Sequence, residues 1–203
     1  MIFVFNYYKK LILDNRGWIY LILGIFVIGV LLGLGTAQGD PETARKIIAQ
    51  YASSVDKSLK PGWEQTKEIF DRNVFVILIA ALTSLVLGLS SAFVALVNGF
   101  VLGLFVGFRD IHTKVNPWQL FLLLFPHGIF EYTGVFLSLS FGLRLGLNWL
   151  TNDSKGKRLK VLKTNIQETI AILVLVIIIL GLAAFIEGFL TLKIACFLSG
   201  ICR

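Results

Sequence analysis

The stretch FPHGIFEYTG, residues 125–134, places two polar side chains, His127 and Glu131, at the start of a hydrophobic segment. Their four-residue spacing puts both on one face of a helix. Ionisable side chains within a membrane helix are costly, so they face the interior of the bundle and carry a structural or functional role. We therefore predict that the rest of the chain is arranged around this stretch. A third ionisable residue of this kind, Glu187, lies in the last hydrophobic segment.

The rest of the chain has the composition of an integral membrane protein. Its 203 residues are 56% hydrophobic and only 15% charged, and the mean hydropathy is +0.81. Soluble domains are far less apolar. We expect one membrane domain over residues 1–203, multi-pass in the cell membrane and in contact with the lipid bilayer. The net charge of +7 then reports orientation and contact with anionic lipid, and we expect no nucleic-acid partner.

Hydrophobic segments and charge together predict an all-α, multi-spanning helical bundle. Spans are expected at Trp18–Leu34, His127–Trp149 and Thr169–Phe189, with Pro126 ending an interfacial approach segment and starting the fourth helix. The 35 residues from Val74 to Phe108 carry no charge and would form a helix of about 52 Å, too long for one crossing. We therefore predict two short helices, Val74–Leu87 and Ala92–Phe108, joined by a turn at residues 88–91.

Basic residues decide the orientation of this bundle. The N-terminal segment, residues 1–17, is expected to be cytoplasmic and interfacial, and the segment 150–163 is the most basic one later in the chain. Five transmembrane helices put both segments on the inside, as the positive-inside rule requires, whereas one long helix over the uncharged run would put the second outside. We predict about five spans, with the N-terminus inside.

Residues 36–73 form the longest polar stretch and are predicted to be a helical external segment. The stretch contains six basic and six acidic residues. Asp40 and Pro41 have the residue types of an N-cap and a first helical position, and Pro61-Gly62 should end that helix before a second one. We expect this helical hairpin to lie over the membrane surface. The apolar tail, residues 192–203, is too short to cross again and contains both cysteines, Cys196 and Cys202, which we expect to be unpaired apolar side chains.

Rows of small residues at four-residue spacing predict close helix packing. Without a hydrophobic effect between helices in lipid, such rows let two backbones approach each other. One row includes Gly99, Gly103 and Gly107, and the other includes Gly134, Gly142 and Gly146. His127 and Glu131 extend the second row at 100° per residue, and Asn98 lies at the edge of the first.

Glu187 should lie in the same leaflet of the membrane as His127 and Glu131. The fourth span begins on the side of the membrane where the fifth ends, and under the preferred topology this is the extracytoplasmic side. One interpretation of His127, Glu131, Glu187 and Asn98 is a polar cluster that joins short helices through hydrogen bonds. Others are a proton- or ion-linked site, and a metal site in which His127, Glu131 and Glu187 bind zinc or another divalent metal. The first needs no cofactor.

The sequence resembles the stage II sporulation protein M family. The motifs are Asn98-Gly99, PHGIFE at residues 126–131, GLRLG at 142–146 and AAFIEGFLT at 183–191, within a family core of residues 74–191. The resemblance implies an all-helical multi-spanning protein. In spore formers, family members act with peptidoglycan hydrolases at the septal membrane as membrane components or scaffolds, and not as the hydrolase itself.

Three functional hypotheses follow from these observations. The leading one is a non-enzymatic membrane scaffold or complex subunit that forms a homodimer or a membrane protein complex and has no catalytic residue. The second is a transporter or permease-like module in which the cluster lines a pathway. The third is an intramembrane metal-dependent enzyme, although no HExxH zinc helix, Walker phosphate loop or GxSxG elbow occurs.

Overall fold

The computed structural model describes residues 2–53, 62–107, 117–151 and 158–191, and all regular secondary structure in these ranges is helical. A π-helical turn, Glu187–Thr191, continues the last helix. The α-helices in chain order are α1 (Ile2–Asp14), α2 (Arg16–Gly39), α3 (Pro41–Ser53), α4 (Trp63–Thr83), α5 (Leu89–Gly107), α6 (Pro117–Thr151) and α7 (Arg158–Ile186). The predicted all-α class is therefore confirmed for the described residues.

Three segments in the described ranges are long and apolar enough to cross a membrane. They are Arg16–Gly39, Leu89–Gly107 and Arg158–Thr191. Apolar helices of this length match the hydrocarbon thickness of a bilayer and satisfy their own backbone hydrogen bonds. The chain is thus a membrane protein with at least these three candidate spans.

Helix α6 lies at the centre of the bundle and packs against α2, α4, α5 and α7. Nearly every residue from Gly134 to Gly146 is buried, with Leu139 and Phe141 almost fully enclosed. Helix α7 runs antiparallel to α6, since Gly134 lies beside Leu180 and the Thr169 hydroxyl faces the Phe141 carbonyl at 3.4 Å.

Helices α2 and α5 run parallel and touch through their glycines. Cβ atoms added at Gly99 and Gly103 of α5 would collide with backbone atoms at Phe26 and Val30 of α2. Gly29 and Gly33 of α2 are packed in the same way against the backbone of α5. The two backbones are so close that only the hydrogen of a glycine fits at these points. In lipid, such close backbone contact stabilises the pair of helices.

The remaining glycines of the two predicted rows also lie at helix contacts. Gly107 faces Ala37 and Leu34, and Gly142 faces Ser91 and Ala81. Gly146 packs on the backbone of the turn between α4 and α5, at Ser84 and Gly88.

That turn lies at residues 84–88, slightly earlier than the predicted turn at residues 88–91. Leu87 and Gly88 have φ values of 56° and 66°, the left-handed conformation that ends a helix. The Ser84 and Ser91 hydroxyls are 2.6 Å apart, and the Ser91 amide donates to Ser84 Oγ at 3.1 Å. These side-chain bonds fix the turn, and sequence spacing alone does not reveal them.

Three helices begin well before the spans predicted within them. Helix α4 begins at Trp63 and not at Val74, so the charged second half of the segment 36–73 is continuous with an apolar helix. Helix α6 begins at Pro117 and passes through Pro126, although a proline inside a helix removes one backbone hydrogen bond. Helix α7 begins at Arg158, well before Thr169, since basic side chains are good helix formers.

The start of α3 agrees with the prediction. Pro41 is its first residue, and the Thr43 amide donates to Asp40 Oδ1 at 3.1 Å. Hydrogen bonds from Thr43 hold the pKa of Asp40 below its ordinary value. The predictions for residues 54–61 and for the tail at 192–203, which includes Cys196 and Cys202, lie outside the described residues.

Candidate functional site

The site is built around His127, which follows Pro126 in α6 and is 7% exposed. Glu131 lies one helical turn later on the same face. Glu187 is the first residue of the π-helical turn that ends the antiparallel helix α7. The structure brings these three side chains together, and we refer to His127, Glu131 and Glu187 as the His–Glu–Glu cluster.

The polar atoms of the three side chains are close enough to surround one bound ion. One potential metal-binding atom from each residue lies within 4.8 Å of the other two. His127 Nε2 is 4.0 Å from Glu187 Oε2, which is too long for a direct hydrogen bond. Among the described residues, these three form a group able to hold a metal ion.

A hydroxyl group from the same π-helical turn contacts the other ring nitrogen of the imidazole. His127 Nδ1 is 3.2 Å from Thr191 Oγ1, a hydrogen-bond distance. The turn therefore contacts both ring nitrogens, through Glu187 at Nε2 and Thr191 at Nδ1. π-Helical turns of this kind occur frequently at functional sites.

Helix α4 supplies two further groups. The Asn73 side-chain amide donates to Glu131 Oε1 at 3.2 Å. Arg72 lies near enough to interact electrostatically with Glu187, while its guanidinium also bonds Glu68 at 3.0 Å. Asn73, Arg72 and Thr191 were not predicted from the sequence. The available signals were that Asn73 immediately precedes the uncharged run and that Thr191 ends the AAFIEGFLT motif.

The π-helical turn is packed against the first turn of α4. The Gly62 amide donates to the Gly188 carbonyl at 3.1 Å. A Cβ atom at Gly188 would collide with the Thr66 hydroxyl and approach the Thr66 amide nitrogen to 3.1 Å. The Trp63 ring packs edge-on against Phe189, with the centroids 5.1 Å apart. This contact fixes the position of Glu187 and Thr191 relative to α4.

Asn98, the fourth residue of the predicted polar cluster, forms its side-chain hydrogen bond within its own helix. Its side-chain amide donates to the Val94 carbonyl of its own helix at 2.8 Å, and the residue is half-buried. The asparagine that contacts the His–Glu–Glu cluster is Asn73, from α4.

A second polar region lies about 26 Å along α6 from His127, at 1.5 Å per residue. Arg144 forms an ion pair with Glu168 of α7, and its guanidinium lies 5.6 Å from the centre of the Phe141 ring. The Asn148 amide donates to Asn165 Oδ1 at 3.2 Å. Arg144 is the charged residue of the GLRLG motif, and its partner Glu168 has no signal in the sequence.

Residues 22–192 match the family described as stage II sporulation protein M. The chain belongs to this family. The matched range begins before the core at residues 74–191 in which the motifs occur, and it includes most of α2, all of α3 and the whole His–Glu–Glu cluster. Membership in the stage II sporulation protein M family and the three apolar segments both identify a membrane protein.

Two curated proteins of Methanocaldococcus jannaschii are similar to this chain, and both are described as uncharacterized. One is 26% identical over 181 residues, which cover 89% of this chain and 97% of the relative. The other is 35% identical over 113 residues, which cover 54% of this chain and 50% of that relative. No solved structure matches the chain significantly.

Proposed function

We propose that the protein is a non-enzymatic membrane scaffold or complex subunit, in which the His–Glu–Glu cluster joins three helical elements. One observation carries this proposal: His127 and Glu131 of α6 contact Thr191 and Glu187 of the π-helical turn and Asn73 of α4. These contacts connect segments far apart in the chain and are mostly buried. A buried polar network that joins helices stabilises one arrangement of a bundle.

The proposal includes five spans, with α4 and α6 added to the three apolar segments. Helix contacts support the alternation of directions that five spans require, since α2 and α5 run parallel and α6 and α7 antiparallel. The Tyr8 hydroxyl donates to the Ala171 carbonyl at 3.2 Å, which joins the basic N-terminal segment to the half of α7 that begins with basic residues. Both then face the cytoplasm, and the His–Glu–Glu cluster lies near the outer leaflet.

Thermal unfolding in detergent tests the role of the cluster. We expect His127→Ala and Glu187→Ala each to lower the melting temperature. The free energy of unfolding should fall by about 1–3 kcal/mol, because buried polar partners are left unsatisfied. Glu42→Gln is a matched control, since Glu42 is an exposed carboxylate paired with Lys46 on α3. Unchanged melting of both cluster variants would refute the proposed role.

Assembly is tested by native mass spectrometry of the protein released directly from membranes. A scaffold or subunit is expected as a homodimer or bound to another membrane protein. A chain that is released only as a monomer, at low detergent concentration and after mild cross-linking, would contradict the scaffold proposal.

A second candidate is a transporter-like module with an ion-linked site. It is favoured by the Glu187 side chain, which is 31% exposed while the His127 side chain is 8% exposed, so the cluster has one accessible side. Ion flux in proteoliposomes that is abolished by Glu187→Gln would favour this candidate over the scaffold.

A further inference from the structure

We propose that the His–Glu–Glu cluster binds a divalent transition-metal ion of the zinc class, held by His127 Nε2 and one carboxylate oxygen each of Glu131 and Glu187. The inference rests on the proposed function, because it names the ligand of the same cluster. The ligand atoms lie within 4.8 Å of one another. Tetrahedral zinc with bonds of about 2.1 Å places its ligands about 3.4 Å apart. Small side-chain rotations therefore close the site.

The chemistry of the three ligands selects the class of metal. An imidazole nitrogen with two carboxylates is a zinc-type donor set, whereas magnesium and calcium prefer oxygen ligands alone. Three protein ligands also leave a fourth position for water or another small ligand. The site is therefore expected to prefer zinc over magnesium and calcium.

Charge favours a cation at this point. Glu131 and Glu187 are close enough to repel each other electrostatically, and both are partly buried. Arg72 provides one positive charge near Glu187, but it also bonds Glu68. A divalent ion between the two carboxylates would offset their repulsion and bind the imidazole nitrogen Nε2 that faces Glu187.

Two neighbouring side chains hydrogen-bond to the proposed ligands and orient them, as the residues behind the ligands of metal sites commonly do. When the Thr191 hydroxyl accepts a hydrogen bond from Nδ1, the lone pair of His127 lies on Nε2, the nitrogen that faces Glu187. Asn73 bonds Glu131 Oε1 and leaves Oε2 available. Thr191 and Asn73 are thus positioning residues. Their loss is expected to lower metal affinity by about 10- to 100-fold.

The packing of the π-helical turn keeps the site assembled and accessible. Gly188 fits against the first turn of α4 with no space for a side chain, so Glu187 and Thr191 are held at the ends of a fixed turn. The Glu187 side chain is 31% exposed, so the described residues do not fully enclose the cluster.

The experiment is elemental analysis of the full-length protein, purified in detergent from metal-replete cells and washed with a weak chelator, together with zinc titration of the stripped protein. We expect about one zinc per chain, as a three-ligand site predicts, and retention in the Glu42→Gln control. His127→Ala, Glu131→Gln and Glu187→Gln are expected to lose the metal. Thr191→Val and Asn73→Leu are expected to bind zinc more weakly while still folding.

The outcomes separate this inference from the proposed function. If no zinc, manganese, iron, cobalt or nickel is bound and the His127→Ala variant has a lower melting temperature, the metal site is refuted and the scaffold role stands. Bound zinc with unchanged melting of the stripped and variant proteins supports the metal and overturns the cluster's role in holding the bundle. Metal retained in the His127→Ala and Glu187→Gln variants places it elsewhere and overturns the inference.

Discussion

Replacing Gly33 by alanine tests the close packing of α2 on α5. A Cβ atom at this position would collide with the Phe100 carbonyl oxygen and lie 2.8 Å from the Leu104 amide nitrogen. These are backbone atoms, so the neighbour cannot rotate away. Ordinary van der Waals contact begins at 3.4 Å, and the helices must therefore separate by about 0.6 Å or more at the Leu104 contact alone. Overpacking of this kind costs about 1–3 kcal/mol.

The same helix contains a matched control, Gly35, which has nothing within 4 Å of an added Cβ. Both substitutions bring the same gain in helix propensity, about 1 kcal/mol. We expect Gly35→Ala to be neutral or stabilising and Gly33→Ala to be less stable than Gly35→Ala by about 1–3 kcal/mol. The assay is thermal unfolding of both variants in one detergent. Equal melting temperatures would show that α2 and α5 are not in backbone contact.

Three further predictions concern contacts outside the cluster. Arg144→Met is expected to destabilise the protein by about 3 kcal/mol, because it leaves Glu168 without its buried partner, and Arg144→Met/Glu168→Leu to recover most of that loss in chemical unfolding. Tyr8→Phe removes the hydrogen bond from α1 to α7, which should cost about 1 kcal/mol and speed proteolysis within α1, whereas unchanged cleavage would contradict this contact. The lowered pKa of Asp40 means that its cap stabilises α3 above the ordinary carboxyl pKa and is lost as pH falls through the lower, folded-state pKa. Asp40→Asn should remove this acid dependence from the protection of the Thr43 amide against hydrogen exchange.

The helical class and the packed faces could be predicted because both depend on local sequence. Uncharged runs of about 20 residues favour helices in lipid, because a helix satisfies its own backbone hydrogen bonds. Gly99, Gly103 and Gly142 lie at contacts because small residues allow backbones to meet. The approach of Glu187 to His127 also follows from simple reasoning, since consecutive antiparallel spans bring the start of one beside the end of the other.

Helix boundaries and the partners of the cluster could not be read from the sequence. Pro126 is a helix breaker by propensity, yet α6 continues through it, and the next residue, His127, contacts Thr191 of the π-helical turn. The contact of Asn73 with Glu131 depends on how α4 packs against α6, and the sequence around either residue does not indicate that packing. Asn98 has the same side chain as Asn73, but it bonds its own helix, so residue type alone did not identify the amide that reaches the cluster.

The central claim is that residues of α6 and of the π-helical turn form one energetic unit, and a double-mutant cycle between His127 and Glu187 tests it most directly. The stability of His127→Ala, Glu187→Ala and the double variant is compared with that of the unchanged protein in detergent, in zinc-saturated and in metal-free buffer. A coupling energy of about 1 kcal/mol or more, larger with zinc, is expected for side chains that share one centre. Additive effects in both buffers would contradict the account.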